Sequence, residues 1–407
     1  MKRCLRCILA MLICLVQGGC WDSVELDELG AIIGTAVDRE GQEWVVSFQV
    51  VNPQSIAAQM GGSSQARAPV TIFSTRGKNL QEAIQHISLE SSRKPFFAHN
   101  RVLVLSEKVA RDDNFSELLD YYLRDSEIRE TMDLVLTKGN ARTILEVLNP
   151  QEKIPANAID RIFSETQDEL SYVRRVRQID FVSKLLTPPS YAVIPEIKIA
   201  GQSGTQKNLD ALKQTSQKGV LKIGDIGIFS GAKLAGWLKR EDGVGLNWVT
   251  DQVKKTVVSI PCAGSEEQGK MSTIIIQRGS TDLTPVLNGE EISMSVRIKA
   301  EGYINETGCT ADLSEPETIA QLNKQLDQQI RKDILRTWNV VKRMKADVFG
   351  FGEAIHRKNP KEWDKLRTEW EDRFPGIKLS LQIEASIRRT GMTNKPFSTV
   401  LQKSKEG

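Results

Sequence analysis

Thiols, imidazoles, carboxylates and serines set in special turns are the side chains of this sequence that could carry chemistry. Cys20 has the most pointed setting: it follows Gly18-Gly19 and precedes Trp21-Asp22, close behind an apolar start ("LVQGGCWD"). A thiol is a strong nucleophile once deprotonated, and small neighbours leave room for an enzyme to close around it. Covalent modification of this sulfur is the chemistry that the spacing suggests. Cys4 and Cys7 ("CLRC") have the spacing of a redox or metal motif, but they lie in the N-terminal leader. Cys262 and Cys309 form an even pair. In an oxidising compartment they could make a disulfide; two buried free thiols are the alternative. His86, His99 and His356 have no partner at the HExxH spacing of a zinc hydrolase. No GxSxG elbow or Walker loop occurs, and the "GQSG" at 201–204 sits in a polar stretch. Carboxylates are plentiful, so spacing leaves paired-acid glycosidase chemistry open, although most such acids read as solvated surface. No catalytic residue, metal ligand or cofactor is assigned.

The leader has three parts. Met1–Cys7 is basic, Ile8–Val16 is an unbroken run of nine apolar residues, and Gln17-Gly18-Gly19 is polar or small. That is the grammar of an export signal, and nine residues fall well short of the ~20 a membrane-spanning helix needs. Small residues directly before a cysteine resemble a bacterial lipoprotein signal, with Gln17 standing where Leu is usual. The expectation is a diacylglyceryl group on Cys20 and a mature chain beginning there. Each buried acyl methylene contributes ~0.8 kcal/mol, and two chains are what stable anchoring takes. Trp21 would then sit among lipid headgroups or dock on the protein. Lys2, Arg3 and Arg6 account for the formal charge of +3, set by 55 basic and 52 acidic residues. Without them the two signs balance, and the broad basic footprint of a nucleic-acid binder is missing.

The elements that position these residues are of mixed type. "AIIGTAV" (31–37) and "WVVSFQVV" (44–51) read as a hairpin turning at Gly41, followed by a polar loop at 54–69. From 69 to 150, strands at 70–74, 101–105 and 132–137 alternate with helical spacing, which favours a βαβ-type block with parallel pairing. Residues 150–199 are less regular, with an edge strand in "AVIPEIKIA". Residues 200–219 are polar and read as a linker. Beyond it, "LKIGDIGIFSG", "KLAGWL", "LNWVTDQV", "STIIIQ" and "SMSVRIKAEGYI" read as strands of an antiparallel sheet. A long amphipathic helix follows, with Ser314 as N-cap and Glu317 closing a capping box. A second helix over 361–373 places Trp363, Leu366 and Trp370 on one stripe, and "GIKLSLQIEASI" alternates as a half-buried strand up to Thr390-Gly391. The fold class is therefore α+β, or mixed α/β, and multidomain. A signal occupies 1–19, an N-terminal region 20–199, the linker 200–219, a C-terminal domain 220–396 and a tail 397–407.

"GCWDSVELDELGAIIGTAVD" resembles the mature start of the Ger(x)C family, the lipoprotein C subunit of spore germinant receptors, through Cys20-Trp21-Asp22, Glu25-Leu26, Gly34 and Asp38. "FFAHNRVLVLSEKVAR" and "RDSEIRETMDLVLTKGNARTIL" are similar to the family's next segments. "ADVFGFGEAIHRKNPKEWDKLRTEW" carries its C-terminal pattern at Asp347, Phe349, Gly350, Pro360, Trp363 and Trp370. The resemblance runs from Cys20 to about Pro396. It implies three mixed α/β domains and a non-enzymatic role in spore germination. The implied partners are integral membrane A- and B-type receptor subunits and lipid at Cys20. The implied location is the extracytoplasmic face of the spore inner membrane. A lipid-anchored protein that captures a small nutrient directly is the first alternative, and a cell-envelope hydrolase the second.

Overall fold

A computed structural model of the chain describes Glu25 and residues 27–53, 55, 68–125, 127–202, 209–262 and 269–389. Cys20, Trp21 and Asp22 lie outside these, as do nearly all of the expected loop at 54–69, part of the 200–219 stretch and the segment from Thr390 onward.

Two sheets organise the described residues. The larger has nine strands: β1 (Leu29–Glu40), β2 (Glu43–Val51), β3 (Val70–Gly77), β4 (Lys94–Phe96), β5 (Val102–Ser106), β6 (Asp133–Thr137), β7 (Tyr191–Gly201), β8 (Gly219–Ser230) and β9 (Lys233–Leu238). Their order is β3-β2-β1-β5-β6-β7-β8-β9, with β4 beside β1. The smaller sheet has the order β10 (Thr256–Pro261), β11 (Met271–Asn288), β12 (Glu291–Thr307), β13 (Lys378–Arg389). The helices are α1 (Leu80–Gln85), α2 (Glu107–Arg111), α3 (Phe115–Arg124), α4 (Ala141–Leu145), α5 (Pro155–Glu169), α6 (Gln178–Leu186), α7 (Gly243–Val249), α8 (Pro316–Arg343), α9 (Phe351–Lys358), α10 (Pro360–Leu366) and α11 (Trp370–Arg373). The fold is mixed α/β, as the sequence predicts.

The middle strands of the large sheet are buried on both faces, which is why they read as unbroken apolar runs. Val102, Val104 and Val135 join one hydrophobic cluster; Leu103, Leu105, Leu134 and Leu136 join the other. The second cluster is roofed by α1, α2, α3 and α6. The first takes in α4, α5, α7, α8, α9 and the whole small sheet. One core therefore runs from the N-terminal half into the C-terminal half.

Several elements differ from the sequence expectations. β5 pairs in parallel with β1 on one side and β6 on the other, but β3 pairs antiparallel with β2. The strands of 69–150 are therefore rungs of the larger sheet. β7 is an interior strand, not an edge. It tolerates Pro195 because β6 meets it at a single position, Leu136 against Glu196, and its register with β8 breaks between Pro195 and Ile197. The polar stretch at 200–219 connects two paired strands, β7 and β8, so one sheet continues across it. "LNWVTDQV" holds most of α7 rather than a strand; every residue of that helix is buried, so no polar face reveals its period. Its glycines allow close approach: a Cβ on Gly243 would stand 2.0 Å from the Tyr172 carbonyl oxygen, and one on Gly245 2.4 Å from that of Asp333. The irregular-looking 150–199 region contains α5, entered through Pro155 in its first turn, and α6.

The small sheet is mixed. β13 lies parallel to β12, with α8 in the connection between them, because alternation reports a buried face and not a direction. α8 starts at Pro316 with no side-chain cap. Ser314 instead turns its N–H and hydroxyl to Asp312 Oδ1, at 2.9 and 2.6 Å, in a local Asx-type turn that competes with capping. The predicted helix at 361–373 is broken into α10 and α11, and the rings of Trp363 and Trp370 meet edge to face with centroids 5.2 Å apart.

Candidate functional site

The signature residues among the described part of the chain do not converge on one site. Near the N terminus, Gly34 is a packing residue: a Cβ there would lie 2.9 Å from Ala156 Cβ and 3.0 Å from Leu145 Cδ2. Asp38 ends in the first turn of α4, where it accepts hydrogen bonds from the N–H groups of Ala141 and Arg142, at 3.0 and 3.2 Å. Burial raises its pKa, and those two N–H groups oppose the rise. The buried Gln49 bridges two helices, donating to the Leu145 carbonyl at 2.7 Å and accepting from Ala156 N–H at 3.1 Å.

The C-terminal signature is a second clamp. Asp347 is 2% exposed and accepts from Phe351 N–H at 2.9 Å, Gly352 N–H at 2.7 Å and Trp370 Nε1 at 3.1 Å. It thereby caps α9 and fastens α11 to it. Gly350, at φ +77, makes the left-handed turn that brings the N–H groups round. Burial pushes the Asp347 carboxyl up to about 7 against the pull of its donors. Around it Trp338, Phe349, Phe351 and Phe374 pack with centroids 5.1–6.0 Å apart. The tryptophan stripe is core.

The histidines are dispersed. His86 Nδ1 faces the Arg76 carbonyl at 2.6 Å, His99 packs on Phe96, and His356 lies beside Trp363. Among the described residues no three His, Cys, Asp or Glu side chains gather as a metal site. Cys262 and Cys309 are joined in a disulfide, Cα atoms 5.5 Å apart, tying the end of β10 to the segment after β12.

The feature that could receive another molecule is a cleft where the two halves of the chain meet. One wall is the segment before α6, the end of α6 and the start of β7, with Arg174, Lys184 and Tyr191. The other is the turn after α7, β11 and the start of α9, with Asp251, Asp282 and Glu353. Its volume is about 470 Å³, and an adjoining hollow of about 440 Å³ shares Arg174, Lys184 and Glu353 with it. These are volumes of small-molecule size. Lys184 and Glu353, one on each wall, form an ion pair, and Asp251 Oδ1 accepts from Thr281 N–H at 2.8 Å. Burial raises the pKa of Tyr191 to about 12. Sequence reading missed this cleft, because its walls lie far apart in the chain and carry no motif.

The chain is similar to known proteins over nearly its whole length. A model described as the spore germination protein N-terminal domain matches residues 22–199, and one described as spore germination B3/GerAC like, C-terminal, matches residues 224–391. Spore germination protein KC of Bacillus subtilis (strain 168) is 29% identical over 401 residues, covering 97% of this chain and 98% of its own. Spore germination protein B3 of the same organism is 22% identical over 383 residues, covering 93% and 95%. The crystal structure of the GerBC protein superposes with a TM-score of 0.52 at 20% identity, over 87% of this chain and 97% of that one, a likeness of fold.

Proposed function

The chain belongs to the GerAC-like spore germination family, and from that membership we propose that it is a lipid-anchored, non-enzymatic subunit of a nutrient germinant receptor. Its role in germination is carried by protein–protein contacts with integral membrane A- and B-type subunits at the extracytoplasmic face of the spore inner membrane. The observation that carries this reading is the junction at Gly18-Gly19-Cys20, a basic and apolar leader ending at one thiol ahead of a family body. No helix among the described residues is long and apolar enough to cross a membrane. The Cys262–Cys309 disulfide suits an oxidising location outside the cytoplasm. Two acyl chains are what stable anchoring to a membrane takes.

The test is Cys20→Ala in the intact chain, read by membrane fractionation and by nutrient germination. The expected result is loss of the variant from the membrane fraction with germination strongly reduced. A variant that remains membrane-bound and germinates normally would overturn the anchor.

A further inference from the structure

The cleft contains a cation to which the described residues give no direct acceptor. Arg174 stands in the extended stretch between α5 and α6, half-buried, and lines both hollows. Its neighbour Arg175 shows the usual arrangement, with hydrogen bonds to both Asp133 and Asp160. Arg174 has no hydrogen bond or ion pair among the described residues. Asp180 is the charge that helps keep it ionised, and burial outweighs that help, so its pKa is lowered. A guanidinium offers five N–H donors in a rigid planar fork, and that of Arg174 faces the cleft with those donors open to an entering molecule.

We propose that Arg174 is the anchor of an anion-binding site in this cleft, and that its ligand is a small molecule bearing a single carboxylate. The planar fork matches a carboxylate with two parallel N–H···O bonds. The lining also carries Asp251 and Asp282, which repel a doubly charged phosphate more strongly than a singly charged carboxylate, while Lys184 offsets Glu353. Val193, Leu246, Leu283 and Phe349 give an apolar lining for the remainder of the ligand. The Lys184–Glu353 pair joins α6 to α9 within the lining, so a bound ligand would touch walls drawn from both halves of the molecule. The site rests on the cleft alone and stands with or without an acyl group at Cys20.

The experiment uses the full chain in detergent, with sodium butyrate and inorganic phosphate as probes and sodium chloride at matched ionic strength as reference. The wild type is expected to show a saturable rise in Tm with butyrate, about 2 °C at ten times the half-saturating concentration, and R174Q is expected to show none. R174K keeps the charge and loses the fork; it is expected to bind butyrate at least tenfold more weakly, and it decides the matter if R174Q does not fold. A response equal in wild type and variants, or none above chloride, overturns the site. An Arg174-dependent response to phosphate with none to butyrate overturns the carboxylate assignment. Neither readout depends on membrane retention, so failure here is distinct from failure of the Cys20 anchor.

Discussion

Asp347 shows how a residue can look functional in sequence and act through packing. Its carboxylate binds two backbone N–H groups and an indole while almost wholly withdrawn from water. Burial lifts its folded-state pKa from the ordinary 3.8 to about 7, so the neutral carboxyl favours folding. That stabilisation is complete below about pH 4 and is lost as the pH climbs through 7; a difference of this size is worth roughly 4 kcal/mol. Asp133, lifted by burial to about 6, contributes with the same sign. Asn at position 347 cannot titrate. The stability of wild type relative to D347N, measured by urea unfolding, is therefore expected to fall between pH 4.5 and 7.5. A constant difference across that window would show that the three donors hold the carboxylate ionised throughout. Asp38 at the first turn of α4 is the same kind of group. Neither aspartate was separable from a catalytic acid by sequence alone, because burial is not written in residue type.

At the scale of elements, α8 does more than cover the small sheet. Its side chains seal the outer edge of β13: Asn323 accepts from Ile387 N–H at 2.9 Å, Asp327 accepts from Ala385 N–H at 2.8 Å, and Arg331 donates to the Leu381 carbonyl at 3.0 Å. An edge strand with free N–H and C=O groups invites pairing with another chain, and the helix fills those positions itself. The double variant N323A/D327A leaves two backbone donors without partners, at a cost of about 2–4 kcal/mol. Urea unfolding should show that loss, and size-exclusion chromatography should show concentration-dependent association through the opened edge. Wild-type stability with unchanged elution would mean that the edge needs no seal. The helix itself was legible from Leu322, Leu326, Ile330, Ile334 and Trp338, all buried in the structure. Its role at the edge was not, because Asn323, Asp327 and Arg331 sit beside the apolar stripe and read as ordinary solvated positions.

For the whole molecule, the decisive fact is that β7 and β8 pair across the polar 200–219 stretch while one hydrophobic cluster spans both sheets. Two pieces, one ending at residue 202 and one beginning at residue 219, are each expected to fail to unfold cooperatively when expressed alone. The first would expose one side of β7 and the second one side of β8. Separate pieces that are soluble and give sigmoidal urea transitions would count against a shared core. Sequence by itself determined the mixed α/β class, the β1–β2 hairpin, the parallel strands β5 and β6, α8 and the family resemblance. Each of these is a local signal: a period of two, a period near 3.6, a turn residue, or an ordered string of motif residues. The tertiary structure alone decided the parallel direction of β13, the interior place of β7, the helical state of α7 and the cleft holding Arg174. Those depend on which surfaces meet after long crossovers, and a residue's neighbours along the chain carry no record of the neighbours it acquires across a core.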